Sequence, residues 1–196
     1  VLKTGREHLE SAAKAVGVGS DVFKNQKIAG LCPGAAYGPA KRWPFERFVE
    51  TGRTLAQVHD AKVIVFGDKN EARACERMAR LIGGSAVSAA GKTNLAQTMA
   101  LLSKCRLLIC NDSGLMHVSA ALGVPVIAVF GSTSPAWTAP LGKNSVVMTR
   151  EVHCSPCYKR SCVNPKKDYY CFKSITVDDM VREANMILKG RYRDCD

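Results

Sequence analysis

The residues best suited to chemistry stand where apolar runs break. Leu107 to Cys110 gives way to Asn111-Asp112-Ser113-Gly114, with His117 three residues further on. If Ser113 and Gly114 open a helix, their backbone N–H groups face an anion, and Asp112 accepts from a hydroxyl or orients the turn. His117, about one helical turn in, reaches the same ligand. Plainer readings remain open: Asp112 or Ser113 caps the helix, a contribution of about 1 kcal/mol, and His117 is structural. A second break, Pro33 to Pro44, sets Lys41-Arg42 behind small residues that let backbone approach a ligand. A lysine ammonium suits phosphate, though two solvated bases on a surface loop fit as well. Glu71 opens a helix after Gly67, where a carboxylate binds ribose hydroxyls or favours the helix dipole. Gly91-Lys92-Thr93 is not a P-loop, because that spacing needs glycine where Ala86 stands.

The sequence holds nine cysteines. Cys32, Cys75, Cys105 and Cys110 lie in apolar or helical segments, where a thiol behaves as a small hydrophobe. Cys154, Cys157, Cys162 and Cys171 form a separate cluster whose spacing suits zinc or an iron–sulfur centre. A reduced loop, or pairing only under oxidising conditions, is the alternative, since no second CxxC follows. Lys159, Arg160, Lys166 and Lys167, interleaved with Tyr158, Tyr169 and Tyr170, are placed to face an anionic acceptor instead. An odd cysteine total without a secretory leader points to a reducing cytosol.

The elements that must position these groups alternate. Helices are expected over 5–16, 44–59, 70–82, 94–104 and after Gly114, with a last one over 176–190 begun by Thr176. Strands are expected over 27–32, 61–66, 85–88, 107–110, before Gly131 and over 145–148. Strands apolar on both faces alternating with helices predict an α/β fold with a doubly wound parallel sheet. Residues 1–26 read as an interdomain helix and linker, and 27–196 as one Rossmann-like domain with a Cys-rich excursion over 151–173. With 46% apolar residues there is material for one well-buried domain. The net charge of +11 is spread evenly, which argues against a nucleic-acid arm and for anionic ligands or an anionic membrane surface. A start at Val1 without an apolar leader suggests a longer parent polypeptide or a trimmed leader.

Taken in order, PGAAYGPAKRWP (33–44), the Gly67 to Glu71 turn and NDSGLMHVSAALGVPVIAVFGSTSP (111–135) resemble glycosyltransferase family 9. Within it, the chain is similar to the type II branch of the ADP-heptose:lipopolysaccharide heptosyltransferases, many of whose members carry a Cys-rich stretch like CSPCYKRSC (154–162). The resemblance implies one half of a GT-B enzyme, the C-terminal donor-binding half. It implies Lys41 on the donor diphosphate, Glu71 on the adenosine ribose and Thr93 near the adenine. Asp112, Ser113, Gly114 and His117 then close around diphosphate and sugar, with Gly131–Ser134 at the border. It further implies inverting transfer of heptose from ADP-heptose to the lipopolysaccharide inner core, with no cofactor required. The catalytic aspartate is expected in an N-terminal domain and not in this chain. The implied setting is the cytoplasm, peripheral to the inner face of the inner membrane, without nucleic acid. Rival expectations are another GT-B transferase or nucleotide-sugar epimerase half, or a metal-stabilised basic interaction module.

Overall fold

The computed structural model describes residues 4–19, 21–142, 144–164 and 168–190, and the statements below concern those residues. Lys166, Lys167 and Cys195 lie outside them. In chain order the elements are α1 (Arg6–Val16), α2 (Val22–Asn25), β1 (Ile28–Cys32), a 3-10 turn (Pro39–Lys41) and α3 (Phe45–His59). Then come β2 (Lys62–Val65), α4 (Ala72–Ile82), β3 (Ala86–Ser88), α5 (Leu95–Leu102), β4 (Leu107–Asn111) and α6 (Gly114–Ala121). The chain continues through β5 (Val126–Val129), α7 (Pro135–Thr138), β6 (Ser145–Met148), α8 (Tyr170–Lys173) and α9 (Val177–Leu188).

The six strands form one parallel sheet in the order β3-β2-β1-β4-β5-β6. This is the doubly wound, Rossmann-like arrangement expected from the alternation of elements. Strand period 2 divides the core. Ala29, Leu31, Val63, Val65, Leu107, Ile109, Ile127 and Val129 face one layer, packed with residues of α3, α4 and α9. Ile28, Cys32, Ile64, Leu108, Cys110, Val126 and Ala128 face the other, under α1, α5 and α6. Helix α1 lies against α5 and sends Ala12 and Val16 into that second layer.

The order reverses between β1 and β4, which pair directly with Cys32 opposite Cys110. At such a switch point the loops leaving the two strands diverge to opposite faces and leave a crevice between them. The break after Cys32 and the break after Asn111 therefore open side by side.

Helix boundaries follow local chemistry. Asn94 begins α5 with a capping box to Gln97, and Thr176 begins α9 with one to Asp179. Pro44 stands just before α3, whose C-terminus turns at Asp60 with φ 51°. The four-residue helices α2, α7 and α8 and the 3-10 turn are additions to the expected elements. Within the 151–173 excursion, Phe172 is fully buried, and its ring lies 2.4 Å from where a Cβ on Gly131 would stand. The excursion is thus seated on the loop after β5. No helix among the described residues is long and apolar enough to cross a membrane.

Candidate functional site

Asn111, the last residue of β4, builds the crevice. Its Oδ1 accepts from the Trp43 backbone N–H at 2.9 Å, and its Nδ2 donates to the Pro33 carbonyl at 2.7 Å. One fully buried amide thereby fastens both ends of the 33–44 loop to the neighbouring strand. Trp43 is locked further by its Nε1 donating to the Ile175 carbonyl at 3.0 Å.

Between these anchors the loop presents Lys41. Its Nζ donates to Asp112 Oδ2 at 2.5 Å, and the Thr133 hydroxyl donates to the same oxygen at 2.7 Å. The Lys41 and Asp112 side chains are 15% and 7% exposed, so the pair is largely withdrawn from water. Asp112 therefore does not cap α6. Ser113 occupies the N-cap position but makes no side-chain capping bond. The amides at the start of that helix are left without a side-chain cap beside the crevice, at the positive end of its dipole.

Glu71 approaches from the other side at the N-cap of α4. Its Oε2 accepts from the Asp68 backbone N–H at 3.2 Å, and Arg42 lies 3.9 Å from Oε1. The carboxylate sits so close to the first loop that a Cβ on Gly34 would stand 1.9 Å from Oε1. Only glycine at 34 leaves Glu71 this place.

These side chains border one open cavity of about 910 Å³. Lys41, Glu71, Thr93, Asp112, Ser113, Gly114 and His117 all line it. Thr93 lies at its α5 end, its hydroxyl 2.9 Å from that of Thr98. Cys32 forms part of the wall, and burial, with smaller contributions from Glu71 and Asp68, pushes its thiol up to about 12. That thiol stays protonated at neutral pH and offers no nucleophile.

Sequence reasoning did not single out Tyr37, Asp68, Thr98 or Thr138, which also line the cavity; Thr133, which holds Asp112, lies in the Gly131–Ser134 loop expected at the border. Arg160, grouped in the sequence with bases facing an acceptor, lines this cavity. The excursion is bound across the first loop: Ala40 N–H donates to the Arg160 carbonyl at 3.0 Å, and Tyr37 Oη to the Tyr158 carbonyl at 2.8 Å. Contacts spanning 121 positions leave no local sequence signal.

The four clustered cysteines border a separate small void of about 30 Å³. Tyr169 N–H points at Cys162 Sγ at 3.2 Å. As the side chains stand, no three His, Cys, Asp or Glu residues among the described ones are arranged to ligate a single metal ion.

Known proteins are similar to this chain in sequence and in fold. The chain is similar to the lipooligosaccharide heptosyltransferase 2 of Haemophilus ducreyi, with 33% identity over 180 residues, 84% of this chain and 49% of that protein. Its structure is similar to that of Escherichia coli ADP-heptose lps heptosyltransferase II, with a TM-score of 0.79 at 26% identity. That match covers 98% of this chain and 54% of the other. TibC of enterotoxigenic E. coli, a dodecameric iron-containing heptosyltransferase solved with ADP-D-beta-D-heptose, shares the fold at a TM-score of 0.67 and 16% identity. That similarity covers 85% of this chain and 46% of TibC. The chain spans about half the length of the curated relatives it matches over most of its own length. The model of glycosyltransferase family 9 (heptosyltransferase) matches residues 3–168, which include the whole sheet and both loops of its switch point, and the chain belongs to that family.

Proposed function

We propose that this chain binds the donor of a heptosyl transfer, a nucleoside diphosphate heptose of the ADP series. The transfer is to a lipopolysaccharide inner-core hydroxyl. What carries the reading is the convergence of Lys41, Glu71, Asp112 and the start of α6 on one cavity at the sheet's switch point. A ligand with a ribose at one end and a diphosphate at the other matches the carboxylate and the ammonium that the cavity offers.

In this reading the acceptor hydroxyl attacks the anomeric carbon from the face opposite the diphosphate. A carbon–oxygen bond to the acceptor forms as the bond to the diphosphate breaks, so configuration inverts. The hydroxyl proton passes to a base supplied by another domain of a GT-B enzyme. Lys41 and the amides of α6 meet the charge growing on the departing ADP. Donors preorganised for developing charge each contribute roughly 3–4 kcal/mol. Glu71 orients the ribose, Thr93 lies near the adenine and His117 flanks the sugar. In that architecture residues 1–26 lead in from the preceding domain and 27–196 form the donor half. The enzyme works at the cytoplasmic face of the inner membrane, where a basic surface meets anionic lipid.

Calorimetric titration of the chain with ADP and UDP tests the donor reading. ADP is expected to bind at least tenfold more tightly than UDP. Equal affinities, or none for ADP, would overturn it.

A second reading concerns Cys154, Cys157, Cys162 and Cys171 as ligands of a structural zinc or iron–sulfur centre. The observation favouring it is their shared void, with an amide directed at one of the sulfurs. Thiolates of this number suit either centre. Metal analysis of anaerobically purified chain decides it: a stoichiometric metal supports the centre, and a metal-free chain with four titratable thiols there refutes it.

A further inference from the structure

We infer that Arg160, carried in by the Cys-rich excursion, is the second cation of this cavity and grips the ligand's diphosphate together with Lys41. The inference rests on the diphosphate reading of the cavity given above.

Lys41 already has Asp112 against it, and the cavity wall also holds the carboxylates of Asp68 and Glu71. Lys41 is thus set against three carboxylates on that wall before a diphosphate adds its own negative charge. Arg160 lines the same wall, and no carboxylate among the described residues lies within ion-pair distance of it. Arg42 does not fill this role, because its guanidinium is turned to the Ala35 carbonyl and towards Glu71.

The Arg160 guanidinium lies 5.4 Å from the Tyr37 ring centroid, and the Lys41 ammonium lies 5.3 Å from that same centroid. One aromatic ring thus gathers both cations. The backbone under Arg160 is fixed as well. Its carbonyl accepts from Ala40 N–H, and Gly38, at φ 144°, lacks the Cβ that would come within 2.7 Å of that oxygen. Tyr158, two residues earlier, donates its N–H to the Ser132 carbonyl at 2.7 Å. A planar fork of donors held in this way is suited to phosphate oxygens.

Calorimetry on the wild-type chain and on Arg160→Ala, Arg160→Gln and Arg160→Lys, with ADP, inorganic pyrophosphate and adenosine as ligands, tests this. Replacement by Ala or Gln is expected to weaken ADP and pyrophosphate roughly tenfold or more and to leave adenosine unchanged. Lysine should restore part of the loss, and melting temperatures should stay constant. Ala and Gln variants that bind ADP and pyrophosphate like wild type would overturn the role. So would a loss of the same size for adenosine, which marks a structural effect. Wild type that binds pyrophosphate through Arg160 without preferring ADP would sustain Arg160 and defeat the nucleotide reading. Wild type that binds neither would defeat both.

Discussion

Lys41 and Asp112 hold each other at 2.5 Å in a nearly dry corner, so neither can be removed without exposing the other's charge to a poor solvent. Lys41→Ala is expected to lower the melting temperature, because it leaves a buried carboxylate with only Thr133 as partner among the described residues. It should also weaken ADP binding by roughly 10- to 100-fold, the range for a lost charge-assisted hydrogen bond. The double variant Lys41→Ala/Asp112→Asn separates the two effects. Thermal melts should recover while calorimetric ADP affinity stays low; recovery of both would make the lysine purely structural. Glu71 carries a different expectation. Glu71→Gln should erase discrimination between ADP and its 2′,3′-dideoxy analogue, measured by competition. Undiminished discrimination would take the ribose away from Glu71.

The loop after β1 owes its position to Asn111. Replacing Asn111 by Ala orphans the Trp43 N–H and the Pro33 carbonyl, at about 1–3 kcal/mol for each buried group left unpaired. Denaturant unfolding should show that loss together with weakened ADP binding. Helix α9 makes a pH-dependent contribution. Hydrogen bonds from Thr176 N–H and from Arg182 hold the Asp179 carboxyl well below its ordinary 3.8. A carboxyl that binds its proton less readily when folded stabilises the fold above that ordinary value, and the contribution fades as pH falls towards the folded value. The melting-temperature gap between wild type and Asp179→Asn should be full at pH 7 and shrink below about pH 4. A gap that persists in acid would exclude this origin. Much of this was legible beforehand: two-faced apolar runs marked the strands, and Thr176 before Asp178-Asp179 marked the start of α9. Helices α2, α7 and α8, at four residues each, are too short to show a helical period.

Within the whole chain, the reach of sequence reasoning followed contact distance. The loops after β1 and β4 could be placed on one sheet edge from strand–turn–helix order alone. Their adjacency comes from the strand order, which places β4 beside β1 across two intervening strands of sequence. The excursion over Tyr37 and Ala40 gave no such hint, since nothing local to Tyr158 or Arg160 names its partner. As a donor half, the 196-residue chain is expected to bind ADP-heptose and transfer negligible heptose by itself. General-base assistance alone is worth on the order of 10² to 10⁴ in rate, and in the proposed GT-B architecture the base and the acceptor surface lie on the other domain. Radiolabelled transfer assays with and without that domain check this; appreciable transfer by the chain alone would refute it. The convergence of Lys41, Asp112 and α6 on one diphosphate is tested most directly by a crystal structure of the chain with ADP-heptose. The diphosphate should lie within hydrogen-bond reach of Lys41 Nζ and the first amides of α6, with the ribose against Glu71. A donor seated outside that cavity, or one whose phosphates touch neither group, would contradict the account.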